Sequence, residues 1–144
     1  MSEENLWGEL PIEEKIETPA SVLRVQGIAL NKATKGILDV RVLQGTWHSN
    51  LTYEFRIVAP ALGNYSATVL TIRHPMALYP LTINSEALTY GEKQVADISE
   101  FKETLKEILQ SQTVRRIVSG LLAQSHDAGT ATPHEWPGSK ALSV

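Results

Sequence analysis

Cysteine is missing from all 144 residues, which excludes disulfides, thiol catalysis and thiolate metal sites outright. Glycine and proline are few, 9 and 7 residues, so collagen-like and low-complexity chains are excluded. No internal repeat of about 20–50 residues is visible, which removes solenoids. Long apolar runs are also lacking. The longest charge-free stretch, Ile57 to Ile72, has 16 residues and is interrupted by Pro60, Gly63 and Asn64, short of the ~20 that a membrane-spanning helix needs. The first residues, Met1 to Asn5, are acidic where a secretory signal is basic and then apolar. The expectation is a cytoplasmic protein that uses no membrane as a partner.

Charge of one sign is concentrated in one place only. Residues 1–17 carry a net charge of −5, residues 18–124 one of +3 and residues 125–144 one of −1, within a total of −3. The body therefore has mixed signs without the clustered Lys and Arg that a nucleic-acid backbone requires, and nucleic acid is set aside as a partner. Catalytic signatures are missing as well: no phosphate-binding glycine loop, no dinucleotide fingerprint, no H-E-x-x-H, no G-x-S-x-G and no calcium loop occur. Absent motifs do not exclude activity, because convergent sites leave no local signature.

What is present suits one ordinary domain. A hydrophobic share of 42% and a charged share of 20% belong to a globular unit of about 100–150 residues. Three parts are expected: an acidic arm over 1–17, partly docked; a single domain over 18–124; and a polar, flexible tail over 125–144.

Thr18-Pro19 signals a helix start, since Thr caps well and Pro is favoured at the first helical position. Helical periodicity puts Val22, Val25, Ala29 and Ala33 on one face with Leu30 at its edge, and Arg24, Asn31 and Lys35 on the other, before Gly36 stops the helix. Gln26 falls within the apolar face, where buried amides ordinarily satisfy a neighbouring backbone group. From Ile37 the period changes to two. Val40 and Val42 alternate with Asp39 and Arg41, then Tyr53, Phe55 and Ile57 with Glu54 and Arg56, which predicts two strands. Complementary charges favour a register with Arg41 opposite Glu54 and Asp39 opposite Arg56, leaving Gly45 to Asn50 as the loop.

Pro60 to Asn64 is a turn, and a third strand runs from Tyr65 to Arg73. Apolar on both sides, it is expected to sit centrally. Leu81 to Ile83 and Leu88 to Tyr90 are further short strand candidates. Asp97 and Glu100 have capping-box spacing ahead of the stripe Phe101, Leu105, Ile108 and Leu109. Beyond it, Val114, Ile117, Val118 and Leu121 lie on the opposite helical face. A break near Gln110–Thr113, with Ser111 or Thr113 as cap, accounts for that jump; one long helix covered on both faces by another subunit is the alternative. The predicted class is α+β: an antiparallel meander of about four or five strands with an N-terminal helix and two C-terminal helices packed on it.

Functional candidates are few. His126 and His134 stand eight apart in the expected tail, a spacing that fits no helical or hairpin ligand geometry, and no metal or cofactor is expected. His74 ends the third strand and Tyr79 follows it, so the two could line a cleft between sheet and helices, with Gln26 as a further polar group. Trp47 at the hairpin tip, beside His48, is the main candidate: it either covers its own sheet or anchors another chain, and Trp is enriched at binding hot spots. Trp7 in the arm and Trp136 in the tail admit the same two readings. The leading expectation is a non-catalytic intracellular accessory protein that binds another protein chain, with a second copy of itself among the candidates. A small-molecule-binding protein or enzyme with its cleft near His74 and Tyr79 is the alternative.

Overall fold

The computed structural model describes residues 4–12 and 15–130. The expectations for residues 131–144, including Trp136 and His134, fall outside the described residues. The element order is α1 (Pro19–Ala33), β1 (Asp39–Trp47), β2 (Asn50–Ala59), a 3-10 turn (Pro60–Leu62), β3 (Tyr65–His74), β4 (Leu81–Asn84), β5 (Glu92–Val95), α2 (Ile98–Leu109) and α3 (Gln112–Thr130). The five strands form one antiparallel sheet in chain order, β1-β2-β3-β4-β5. The α+β meander with one helix before it and two after it is therefore what the chain forms. No helix among the described residues is long and apolar enough to cross a membrane.

The three helices cover one face of the sheet. Phe55, Ile57, Leu70, Ile72, Leu81 and Ile83 from the strands meet Leu23, Phe101 and Ile108 from the helices in one core. The opposite face carries Arg41, Leu43 and Trp47 of β1 with Thr52, Glu54 and Arg56 of β2 and is open to solvent at its Trp47 end, while Val58 at the far end is buried. Antiparallel sheets tolerate this because alternate side chains can be polar.

Helix α1 starts as its sequence dictates. Thr18 Oγ1 accepts from Ser21 N at 3.1 Å, and Pro19 occupies the first turn. At its end Gly36, at φ +82°, donates its N–H to Asn31 O. The buried face differs from the predicted one: Val22, Leu23 and Gly27 are buried, while Val25, Ala29 and Ala33 are exposed and Asn31 is half-buried. Two features turned the helix. Gly27 lets the backbone approach β1, and Asn31 Nδ2 donates to Leu38 O at 3.0 Å, so a residue read as outward-facing ties α1 to the strand that follows.

The β1–β2 register is also corrected. Arg41 lies opposite Arg56 and Asp39 opposite Val58, and the loop is only His48-Ser49, closed by Trp47 opposite Asn50. The predicted and observed registers differ by two residues, so each side chain keeps its face, and apolar patterning cannot choose between them. The turn chooses. His48 and Ser49 both have left-handed backbones, φ 46° and 66°, the two-residue form whose twist matches that of the strands. Against it stand charge pairs worth at most about 1 kcal/mol. The like-charge cost is relieved within β2, where Arg56 pairs with Glu54 at 2.8 Å.

β3 is central, as its two apolar sides require. Its irregular alternation has a local cause: the β2–β3 register shifts between Phe55 and Arg56, so Val69 is an extra residue in β3 and is buried together with Leu70. The last strand corrects the prediction. Leu88 to Tyr90 lie in a turn, and β5 is the polar run Glu92–Val95, of which only Val95 is buried. An edge strand with one inward apolar residue shows no alternation to detect.

The helix break near 111 is present. Ser111 Oγ accepts from Val114 N at 3.2 Å, and α2 ends at Leu109. The predicted cap of α2 is formed, with Asp97 Oδ1 accepting from Glu100 N, while Glu100 Oε1 reaches one residue further back than in a capping box and accepts from Ala96 N. Helix α3 continues beyond residue 124 to Thr130, with Ser125 buried.

Candidate functional site

The β1–β2 turn fixes Trp47 on the uncovered face of the sheet. The residue is 51% exposed, yet its ring has two partners. His48 meets it edge-on with ring centroids 4.3 Å apart, and the Arg73 guanidinium stands 4.8 Å from its centroid. Arg73 reaches from β3, two strands away, so the cation–π contact spans the end of the sheet. Thr52, opposite Arg73 in the β2–β3 pairing, lies between them. Below this group Glu54 accepts from Thr68 Oγ1 at 2.9 Å while pairing with Arg56. The result is an aromatic anchor of restricted orientation beside a polar, mixed-charge sheet surface. Leu43, 42% exposed, lies on the same face four residues along β1 from Trp47.

The other candidates lie elsewhere. His74 is 2% exposed and stacked on Tyr53 at 5.8 Å. Its Nδ1 is 2.8 Å from Pro75 O; a carbonyl can only accept, so Nδ1 carries the proton. Tyr79 packs against the core with its hydroxyl shielded and without a hydrogen-bond partner. Burial above all, then the charges of Asp97 and Glu17, raises its pKa. Gln26 lines a groove of about 400 Å3 between α1 and α2, walled by Val25, Leu105 and Leu109 and rimmed by Lys102 and Lys106. His74 and Tyr79 line neither this groove nor the four others described. Trp7 is 78% exposed, with its backbone N–H held by Asn5 Oδ1. The arm meets the domain at its end, where Glu17 pairs with Lys102 at 2.8 Å.

No group of three or more His, Asp or Glu residues suited to a metal ion occurs among the described residues. Sequence reasoning missed Arg73 as a neighbour of Trp47, and Leu43 as an exposed apolar residue on the same face. The signal for Leu43 was present, an apolar residue on the strand side otherwise occupied by Asp39 and Arg41. Arg73 becomes visible only when three strands are paired. Compared with protein-family models, with curated proteins and with solved structures, the chain matches none.

Proposed function

We propose that this protein is a non-catalytic binding or accessory protein that meets another protein chain at the Trp47 end of its open sheet face. The observation that supports this reading is the half-exposed Trp47 ring, held by His48 and Arg73 instead of being folded into the core. An ordered aromatic loses little conformational freedom on binding, and a polar rim around it is the composition of a hot spot. The arrangement of His74 offers less to a cleft-based reading, because its ring is enclosed, stacked and bonded to Pro75.

Trp47→Ala tests the reading. The expected result is association weakened by about 10-fold or more, with folding stability nearly unchanged. A loss of about 3 kcal/mol in stability with association intact would instead make Trp47 an internal packing residue.

A further inference from the structure

The two edges of the sheet are built differently. β5 is four residues long and exposes Glu92, Lys93 and Gln94, the short and charged form that discourages strand addition. β1 is nine residues long and contains no proline, no lysine and no bulge. Nothing among the described residues pairs with its outer side. In an antiparallel ladder alternate residues point their N–H and C=O outward. Trp47 and Asn50 close a two-residue turn and so bond to each other, which puts the odd residues of β1 inward and the even ones outward. Val40 agrees with this parity: its N–H donates to Asp39 Oδ1 at 2.8 Å. Asp39 thereby blocks one end of the edge, and the turn at His48 ends the other. Val42, Gln44 and Thr46 are left outward between them.

We infer that β1 pairs antiparallel with β1 of a second copy of this chain, on a two-fold axis at Gln44, to make one continuous sheet. This specifies the partner for the Trp47 surface and rests on that reading. The midpoint of the three outward residues is Gln44, so Gln44 meets Gln44 of the partner subunit and Val42 meets Thr46 of the partner subunit. On the open face this register sets Leu43 opposite Gly45 of the partner subunit, a residue with no side chain of its own to oppose it. It sets Arg41 opposite Trp47 of the partner subunit, a second cation for a ring that already holds Arg73 on its own chain. Both pairs are the non-hydrogen-bonded kind, whose side chains approach most closely. A two-residue shift that centres on Val42 would need the Val40 N–H and would place Leu43 against Arg41. On the helical side the added strand also covers the groove beside Val40 and Val42, where Ile28 is 57% exposed. A two-fold interface must be self-complementary, and these pairings are.

Sedimentation equilibrium on the full chain over a dilution series tests the pairing. The expected mass is twice 15.9 kDa. Leu43→Lys alters an exposed side chain and leaves the fold alone. Gln44→Pro removes an outward N–H from an edge strand, a position where proline is tolerated. Each should raise the dimer dissociation constant by about 10-fold or more, with the circular dichroism spectrum unchanged. A monomer at every concentration, or a dimer that Leu43→Lys leaves intact, overturns the inference. The broader reading fails separately. If the chain is monomeric but loses recovery of another protein on Trp47→Ala, the edge pairing is wrong and the Trp47 surface stands. If Leu43→Lys dissociates a dimer that Trp47→Ala leaves untouched, the pairing stands and the Trp47 anchor does not.

Discussion

A Cβ placed on Gly27 would stand 2.9 Å from Val40 Cβ and 3.0 Å from its Cγ1. Glycine in the middle of a helix costs up to about 1 kcal/mol against alanine, and here that cost permits α1 to lie close on the edge strand β1. Gly27→Ala would regain the helical preference but push against the Cβ of a β-branched neighbour. We expect a net loss of about 1–2 kcal/mol in urea unfolding. A gain in stability would mean that β1 yields easily at Val40.

The His48-Ser49 turn makes a second prediction. Two non-glycine residues at φ 46° and 66° are held where Asn-Gly is at home. His48→Asn together with Ser49→Gly should therefore raise stability by about 1 kcal/mol without altering the register. Arg41→Glu should change stability by no more than about 0.5 kcal/mol, and in the favourable direction, because it faces Arg56. Thermal unfolding of both variants checks this.

Tyr79 links stability to alkaline pH. Its pKa in the folded protein is raised above the ordinary 10.0, chiefly by burial. The unfolded chain thus loses this proton first as pH rises. The contribution is fully present below 10.0 and declines as pH climbs from there through the raised folded value. Tyr79→Phe should remove that part of the alkaline decline. Near neutral pH it should be neutral or stabilising by about 1 kcal/mol, since the hydroxyl is shielded without a partner. A marked loss of stability at neutral pH would show that the hydroxyl is bonded.

The α2–α3 break predicts a tolerant site beside a sensitive one. Gln112 opens α3 directly after its cap, Ser111. Gln112→Pro should cost less than about 1 kcal/mol, whereas proline inside a continuous helix costs ~3 kcal/mol. Ser111→Ala should cost about 1 kcal/mol through loss of the bond to Val114 N. Denaturant midpoints of the two variants give the comparison.

Element types were legible wherever one residue class had one physical reason to be there. Thr18-Pro19, Asp97 with Glu100, and Ser111 are caps that act within a few residues of themselves, and each acts as its type suggests. Relations across the chain were less legible. Val25 and Val22 are alike in hydropathy, and the close approach at Gly27 together with the Asn31 tie to Leu38 decides which is buried. Arg41 and Glu54 invite pairing, but the turn two pairs beyond Gly45 sets the register. Trp47 could be singled out from the sequence because a large aromatic near a hairpin tip needs an explanation. The face it occupies and its contact with Arg73 required three strands in place. His74 drew attention by residue type alone, and Tyr53 and Pro75 supply what it needs.

Because strand order equals chain order, each new strand joins a neighbour that the chain has only just completed. Sheets assembled from such nearby pairings avoid the slow loop closures that parallel or interleaved sheets require. The β1–β2–β3 meander should accordingly form early in folding. Its apolar side would then await α2 and α3, which come last in the sequence. In a growing polypeptide that delay lasts for the synthesis of dozens of residues, at roughly 5–20 residues per second. Over those seconds α1, which precedes the sheet, is the helix available to shield its apolar face. A chain shortened before α2 would carry the same bare face permanently and should aggregate, whereas a chain that includes α2 and α3 closes it.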